Sequence, residues 1–100
     1  MRKFVKFTAK YLGETTSFDV IEVISPEKAQ DYIKMKNNLN AGFIFFPTYQ
    51  VLEPDEALKY TIAFIKGAQD DDLEDTPEYI NNLLSNLKEC YGIDYKPLND

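Results

Sequence analysis

Histidine and tryptophan are missing from this sequence, and cysteine occurs once, as Cys90. Without histidine, Ser-His-Asp and Cys-His nucleophile activation and imidazole metal ligation are excluded. A single cysteine allows no intrachain disulfide, and with no histidine beside it one chain cannot assemble a structural zinc site. Glycine is sparse. Gly13, Gly42, Gly67 and Gly92 stand far apart, so no GxGxxG or Walker-type phosphate loop exists. No cofactor is expected.

Basic residues are outnumbered, with 11 Lys and Arg against 17 Asp and Glu and a net charge of −6. Phosphate-backbone binding depends on Lys and Arg, so direct nucleic-acid binding is not expected. The longest stretch without charge, residues 37–52, contains Asn37, Asn38, Asn40, Pro47 and Gln50 and is too short to span a bilayer. Lys6 and Lys10 interrupt any apolar signal core after the basic start. These features point to a reducing, cytoplasmic setting with no membrane partner, the host cytoplasm included.

What is present suffices for a core. Apolar residues make up 44% of 100 residues, with seven Phe and seven Tyr. A chain of this size folds as a single domain without disulfides or metal, so one domain over 1–100 is expected. The charge is lopsided. Residues 1–52 hold seven basic and five acidic groups, net +2; residues 53–100 hold four basic and twelve acidic groups, net −8.

Residues 3–12 alternate as a half-buried strand, with Val5, Phe7, Ala9 and Tyr11 on one side. Gly13-Glu14 suits a type II′ hairpin turn. That turn would set Ala9 against Phe18, Phe7 against Val20 and Thr8 against Asp19 across a second strand over 15–24. Phe4, Ile21 and Val23 then fall on the opposite face, which needs a cover. Ser25-Pro26 opens a helix with Ser25 as cap and Pro26 in the first position. Ala29, Tyr32, Ile33 and Lys36 follow at helical spacing, with Met35 beside them, and the helix ends near Asn37-Asn38. Asn40, Ala41 and Gly42 form a turn.

Residues 43–52 are apolar on two faces: Phe43, Phe45, Tyr49 and Val51 on one, Ile44, Phe46 and Leu52 on the other. Pro47 cannot donate to a ladder, which predicts an edge strand or a bulge there. Residues 54–68 fit a helix or a strand. The helix is favoured by Pro54, Asp55 and Glu56 at its start and by Lys66-Gly67 at its end, with Leu58, Ile62 and Ile65 facing the core. Thr76-Pro77-Glu78 opens a last helix with the stripe Ile80, Leu83, Leu84 and Leu87, with Tyr91 four positions after Leu87 and Gly92 closing it. Ile93 to Tyr95 reads as a short strand or a packed tail, and residues 98–100 as a frayed end. The sum is an α+β fold, β-β-α-β-α-α, with a small antiparallel sheet and helices on one face.

Functional candidates are few. Glu22 lies among Phe7 and Val20 and reads either as a solvated residue at the sheet's end or as a perturbed acid. The run Asp70, Asp71, Asp72, Glu74, Asp75 reads first as a solvated loop before a helix N-terminus. Its spacing misses a calcium loop, with Asp75 in place of glycine and Asn81 in place of the final Glu. Together with Glu53, Asp55, Glu56 and Glu78 the run forms a region of net charge −7 over 53–78, from nine acidic and two basic groups. Such a patch can dock on a basic protein surface by offering carboxylates where phosphates sit.

Arg2, Lys3, Lys6 and Lys10 read as an ordinary solvated strand, or as a single-strand nucleic-acid face with Phe4 stacking. The aromatic segment 43–49 reads as core, or as an exposed edge with Phe46 and Tyr49 as hot spots. Cys90 reads as structural.

The leading expectation is a non-enzymatic protein-binding module, a small acidic inhibitor or regulator of a phage or mobile element, bound to a basic partner that handles nucleic acid. The alternative is a structural or assembly protein that forms a homo-oligomer, a homodimer being one outcome, through the Phe43–Tyr49 strand. A small carboxylate-dependent enzyme ranks last.

Overall fold

A computed structural model describes residues 1–39, 41–71 and 76–96; for 68–71 and 76 it describes the backbone. It carries three strands, β1 (Lys3–Tyr11), β2 (Ser17–Ile24) and β3 (Phe43–Val51), and three α-helices, α1 (Ala29–Asn38), α2 (Pro54–Asp71) and α3 (Thr76–Tyr91). The α+β architecture and its order follow the sequence pattern. The chain divides into two compact units, Met1–Leu52 and Glu53–Asp100.

In the first unit the strand order is β2-β1-β3, with both neighbours antiparallel to β1. β2 and β3 therefore run parallel to each other on either side of β1, joined by α1 in a split β-α-β arrangement. The register is the one the hairpin pattern requires: Ala9 opposes Phe18, Phe7 opposes Val20 and Thr8 opposes Asp19. The turn itself differs from expectation. Glu14 N–H donates to the Tyr11 carbonyl, so Gly13 is the second central residue, at φ +86°, and β2 resumes only at Ser17. A positive φ at that position is the type II preference. Register survives because the alternation of apolar residues, not the turn, decides which face is buried.

Val5, Phe7 and Ala9 on the middle strand are fully buried and pack with Ala29, Ile33 and Phe45. Phe7 is the centre of the aromatic cluster. Its ring stacks on Tyr32 at 4.5 Å between centroids and meets Phe45 edge-on at 6.0 Å. On the opposite face Phe4 and Ile21 are also buried and Val23 is half-buried.

β3 combines both devices that Pro47 predicts. It is an edge strand, and its pairing with β1 jumps between Phe7↔Tyr49 and Ala9↔Phe45. Residues 46–48 thus stand opposite Thr8 alone. Two surplus residues, an even number, keep Phe43, Phe45, Tyr49 and Val51 on one face on both sides of the bulge.

Ser25 precedes a short 3-10 turn, Pro26–Lys28, and makes no side-chain cap; its carbonyl accepts the Lys28 N–H at 2.9 Å. In the second unit, 54–68 is helical. α2 runs on through Gly67 to Asp71 and does not stop at Lys66-Gly67. Gly67 does not adopt the positive φ of a helix-ending glycine, whereas Gly92 does, at φ +70°. The buried stripe of α2 is Ala57, Thr61 and Ile65, with Leu58 and Ile62 flanking it. Thr61 is tolerated there because its hydroxyl donates to the Ala57 carbonyl at 2.9 Å. α3 buries Leu83 and Leu87. It ends where Gly92 N–H returns to the Lys88 carbonyl, the αL cap. α2 packs on α3, and Phe64 meets Tyr79 at 4.7 Å. Ile93 to Tyr95 forms no strand.

Candidate functional site

Of the acidic candidates, Glu53, Asp55 and Glu56 lie at the start of α2 and Asp70 and Asp71 at its end. Glu53 and Asp55 are exposed at its start, and Glu78 is exposed in the first turn of α3. Glu56 is drawn into a local task. Its Oε1 accepts the Glu53 N–H at 3.0 Å, which is half of a capping box. Asp70 and Asp71 close α2. An 18-residue helix is about 27 Å long at 1.5 Å per residue, so the two acidic groups stand roughly 20 Å apart along it. Asp72, Glu74 and Asp75 lie outside the described residues, and so does most of the calcium-loop spacing. Among the described residues no three His, Cys, Asp or Glu side chains are grouped as metal ligands. No helix of the described residues is long and apolar enough to cross a membrane.

Phe46 and Tyr49 belong to the first unit. Phe46 is half-buried in the bulge; Tyr49 is 37% exposed with its ring 6.3 Å from that of Phe7. The outer side of β3 is not open at its centre. Phe45 N–H donates to Asn37 Oδ1 at 2.8 Å, and Asn37 Nδ2 donates to the Phe45 carbonyl at 3.2 Å. Those groups are the ones a second copy would need in order to pair along 43–49. Nothing in the sequence pattern marks Asn37 for this role; it reads there only as a helix end.

Glu22 has a structural partner. The Tyr32 hydroxyl donates to its carboxylate. Burial, then the Glu22 charge, then that hydrogen bond push the Tyr32 hydroxyl well above the ordinary tyrosine value. Lys36 Nζ sits 5.4 Å from the Tyr32 ring centroid, a cation–π contact. The nucleic-acid face loses its stacking ring, because Phe4 is fully buried. Cys90 is half-buried and forms no disulfide.

A groove of about 310 Å³ runs beside α1, lined by Ile24, Lys28, Asp31, Tyr32 and Met35. It was not legible in the sequence, where Met35 appears only as a neighbour of the apolar stripe. Compared with known protein families, curated proteins and solved structures, the chain matches none of them.

Proposed function

We propose that the chain is a non-enzymatic binding protein whose acidic helical unit docks on a basic protein surface, of the kind that handles nucleic acid. One observation carries this reading: the charge boundary coincides with a structural one. The compact units divide between Leu52 and Glu53. The first holds a net +2 and the second a net −8, from four basic and twelve acidic groups. The acidic field therefore belongs to a helical unit of its own, and a basic surface is its electrostatic complement.

The ends of α2 add support. Glu53, Asp55 and Glu56 suit a helix start, but Asp70 and Asp71 sit in a last turn that holds no basic residue. Negative charge at a helix C-terminus opposes the macrodipole, at about 0.3–1 kcal/mol per residue. That placement does nothing for α2 itself and is consistent with a role toward a partner.

The test is capture of partners from lysate of the source cells at about 0.1 M and about 1 M salt, where the Debye length falls from about 10 to about 3 Å. The bait is the full chain or a variant carrying Glu53→Gln, Asp55→Asn, Asp70→Asn and Asp71→Asn. The expected result is a basic protein held by the wild type at low salt, released at high salt and not held by the variant. Equal retention at both salts and by both baits would sink the reading.

A further inference from the structure

We infer that the free edge of β2 and the groove beside α1 together form a docking site for an extended segment of another protein. That segment adds as a fourth strand and carries an apolar residue and a Lys or Arg five positions apart.

The two edges of the sheet are built differently. On β3, Asn37 occupies the backbone of Phe45, a bulge interrupts the pairing and Pro47 has no N–H. β2 has none of these devices. Its register with β1 runs without interruption from Lys3↔Ile24 to Lys10↔Ser17, and it contains no proline and no lysine. Among the described residues no strand pairs with its outer side. Alternate residues of such a strand turn both N–H and C=O outward, as a template for another strand.

The packing of α1 leaves room on the same side. The helix packs mainly against β3. On β2, Phe18, Val20 and Ile24 are only half-buried, while Val5, Phe7 and Ala9 beside them are fully buried. The groove lies at this uncovered margin, with Met35 50% exposed on its wall. A strand added to β2 turns every second side chain toward α1, and the one beside Ile24 enters the groove.

Charge selects the occupant. β2 carries Asp19 and Glu22 and no cation. Glu22 is held by the Tyr32 hydroxyl, which leaves exposed Asp19 as the charge an opposing residue meets. Opposite charges across a strand pair are favourable and like charges are not. A second copy of this chain would bring two more acids and no cation on the same strand, whereas a foreign segment with Lys or Arg opposite Asp19 is complementary. Ile24 and Asp19 are five positions apart and point to opposite faces, so the apolar residue faces α1 and the basic one faces away. This surface lies in the first unit and does not rest on the acids of the second.

The experiment is selection of displayed, fully randomised ten-residue peptides on the full chain, on Met35→Glu and on Asp19→Lys. Both side chains are exposed, and a circular dichroism spectrum checks each fold; Met35→Gln replaces Met35→Glu should the latter unfold. The selected peptides are expected to share the apolar and basic pair, to bind Met35→Glu at least about tenfold more weakly, and to change from Lys or Arg to Asp or Glu on Asp19→Lys. Outward β2 amides should exchange more slowly in the complex. Peptides without the pair, or peptides that bind both variants as well as the wild type, would overturn the inference. So would a homodimer in sedimentation that competes with the peptides. Unchanged peptide binding by the four-carboxylate variant of the second unit separates this surface from the acidic one.

Discussion

Asn37 and Phe45 are joined by two hydrogen bonds, each using the backbone of one and the side-chain amide of the other. The last turn of α1 thereby closes the exposed edge of β3 at its most buried residue. Removing the amide leaves a part-buried N–H and C=O without these partners. Asn37→Ala is expected to cost about 1–3 kcal/mol in urea denaturation. A loss below about 0.5 kcal/mol would mean that water replaces the amide.

The same glycine substitution should act in opposite directions at two positions. Gly67 lies inside α2, and a Cβ there would meet nothing within 4 Å. Gly67→Ala should stabilise by up to about 1 kcal/mol. Gly92 holds φ +70° at the end of α3, a conformation that alanine resists. Gly92→Ala should destabilise by about 1 kcal/mol. Thermal or urea unfolding of both variants checks the pair, and equal signs would contradict these assignments.

Tyr32 makes stability depend on alkaline pH. Its hydroxyl is raised above the ordinary tyrosine value in the fold, chiefly by burial. The folded state therefore keeps a proton that the unfolded chain releases above about pH 10. The stabilisation is fully present below that pH and declines as pH rises beyond it. Tyr32→Phe should flatten this decline when unfolding is compared at about pH 9 and about pH 11. In an ultraviolet titration, the wild type should show a late tyrosine ionisation that Tyr32→Phe removes. An unchanged decline in the variant would show that other groups cause it.

The C-terminal turn of α2 should set stability against binding. Asp71→Lys removes an unfavourable charge from a helix C-terminus and should raise stability by about 0.3–1 kcal/mol at low salt. The same variant should hold a basic partner less well. A drop in stability with unchanged partner binding would contradict both.

Much of the fold was legible before any coordinates. The alternation around Val5, Phe7 and Ala9 specified β1, the hairpin register and the buried face, because a one-residue slip would expose all three. Pro47 announced an edge or a bulge, because a missing N–H is tolerated only there, and β3 has both. α3 was readable from the stripe ending at Leu87 and from Gly92. The end of α2 was misread, because a glycine costs only about 1 kcal/mol in a helix and packing along Ala57, Thr61 and Ile65 outweighs it. The acidic candidates were visible as composition. The helix reading of 54–68 already set Glu53, Asp55 and Glu56 at its start and the run from Asp70 beyond its end; only the continuation of α2 to Asp71 was not legible.

By itself, then, the sequence determined the α+β order, the hairpin register, the excess of carboxylates after residue 52 and the lack of histidine chemistry. These depend on residue identity and on periods of two or about four, which are local. Only the tertiary structure decided that Asn37 seals β3, that Tyr32 holds Glu22 and that α1 leaves a groove beside β2. Each of these joins residues from different elements, and their meeting depends on where α1 crosses the sheet, a long-range packing outcome that no local period encodes.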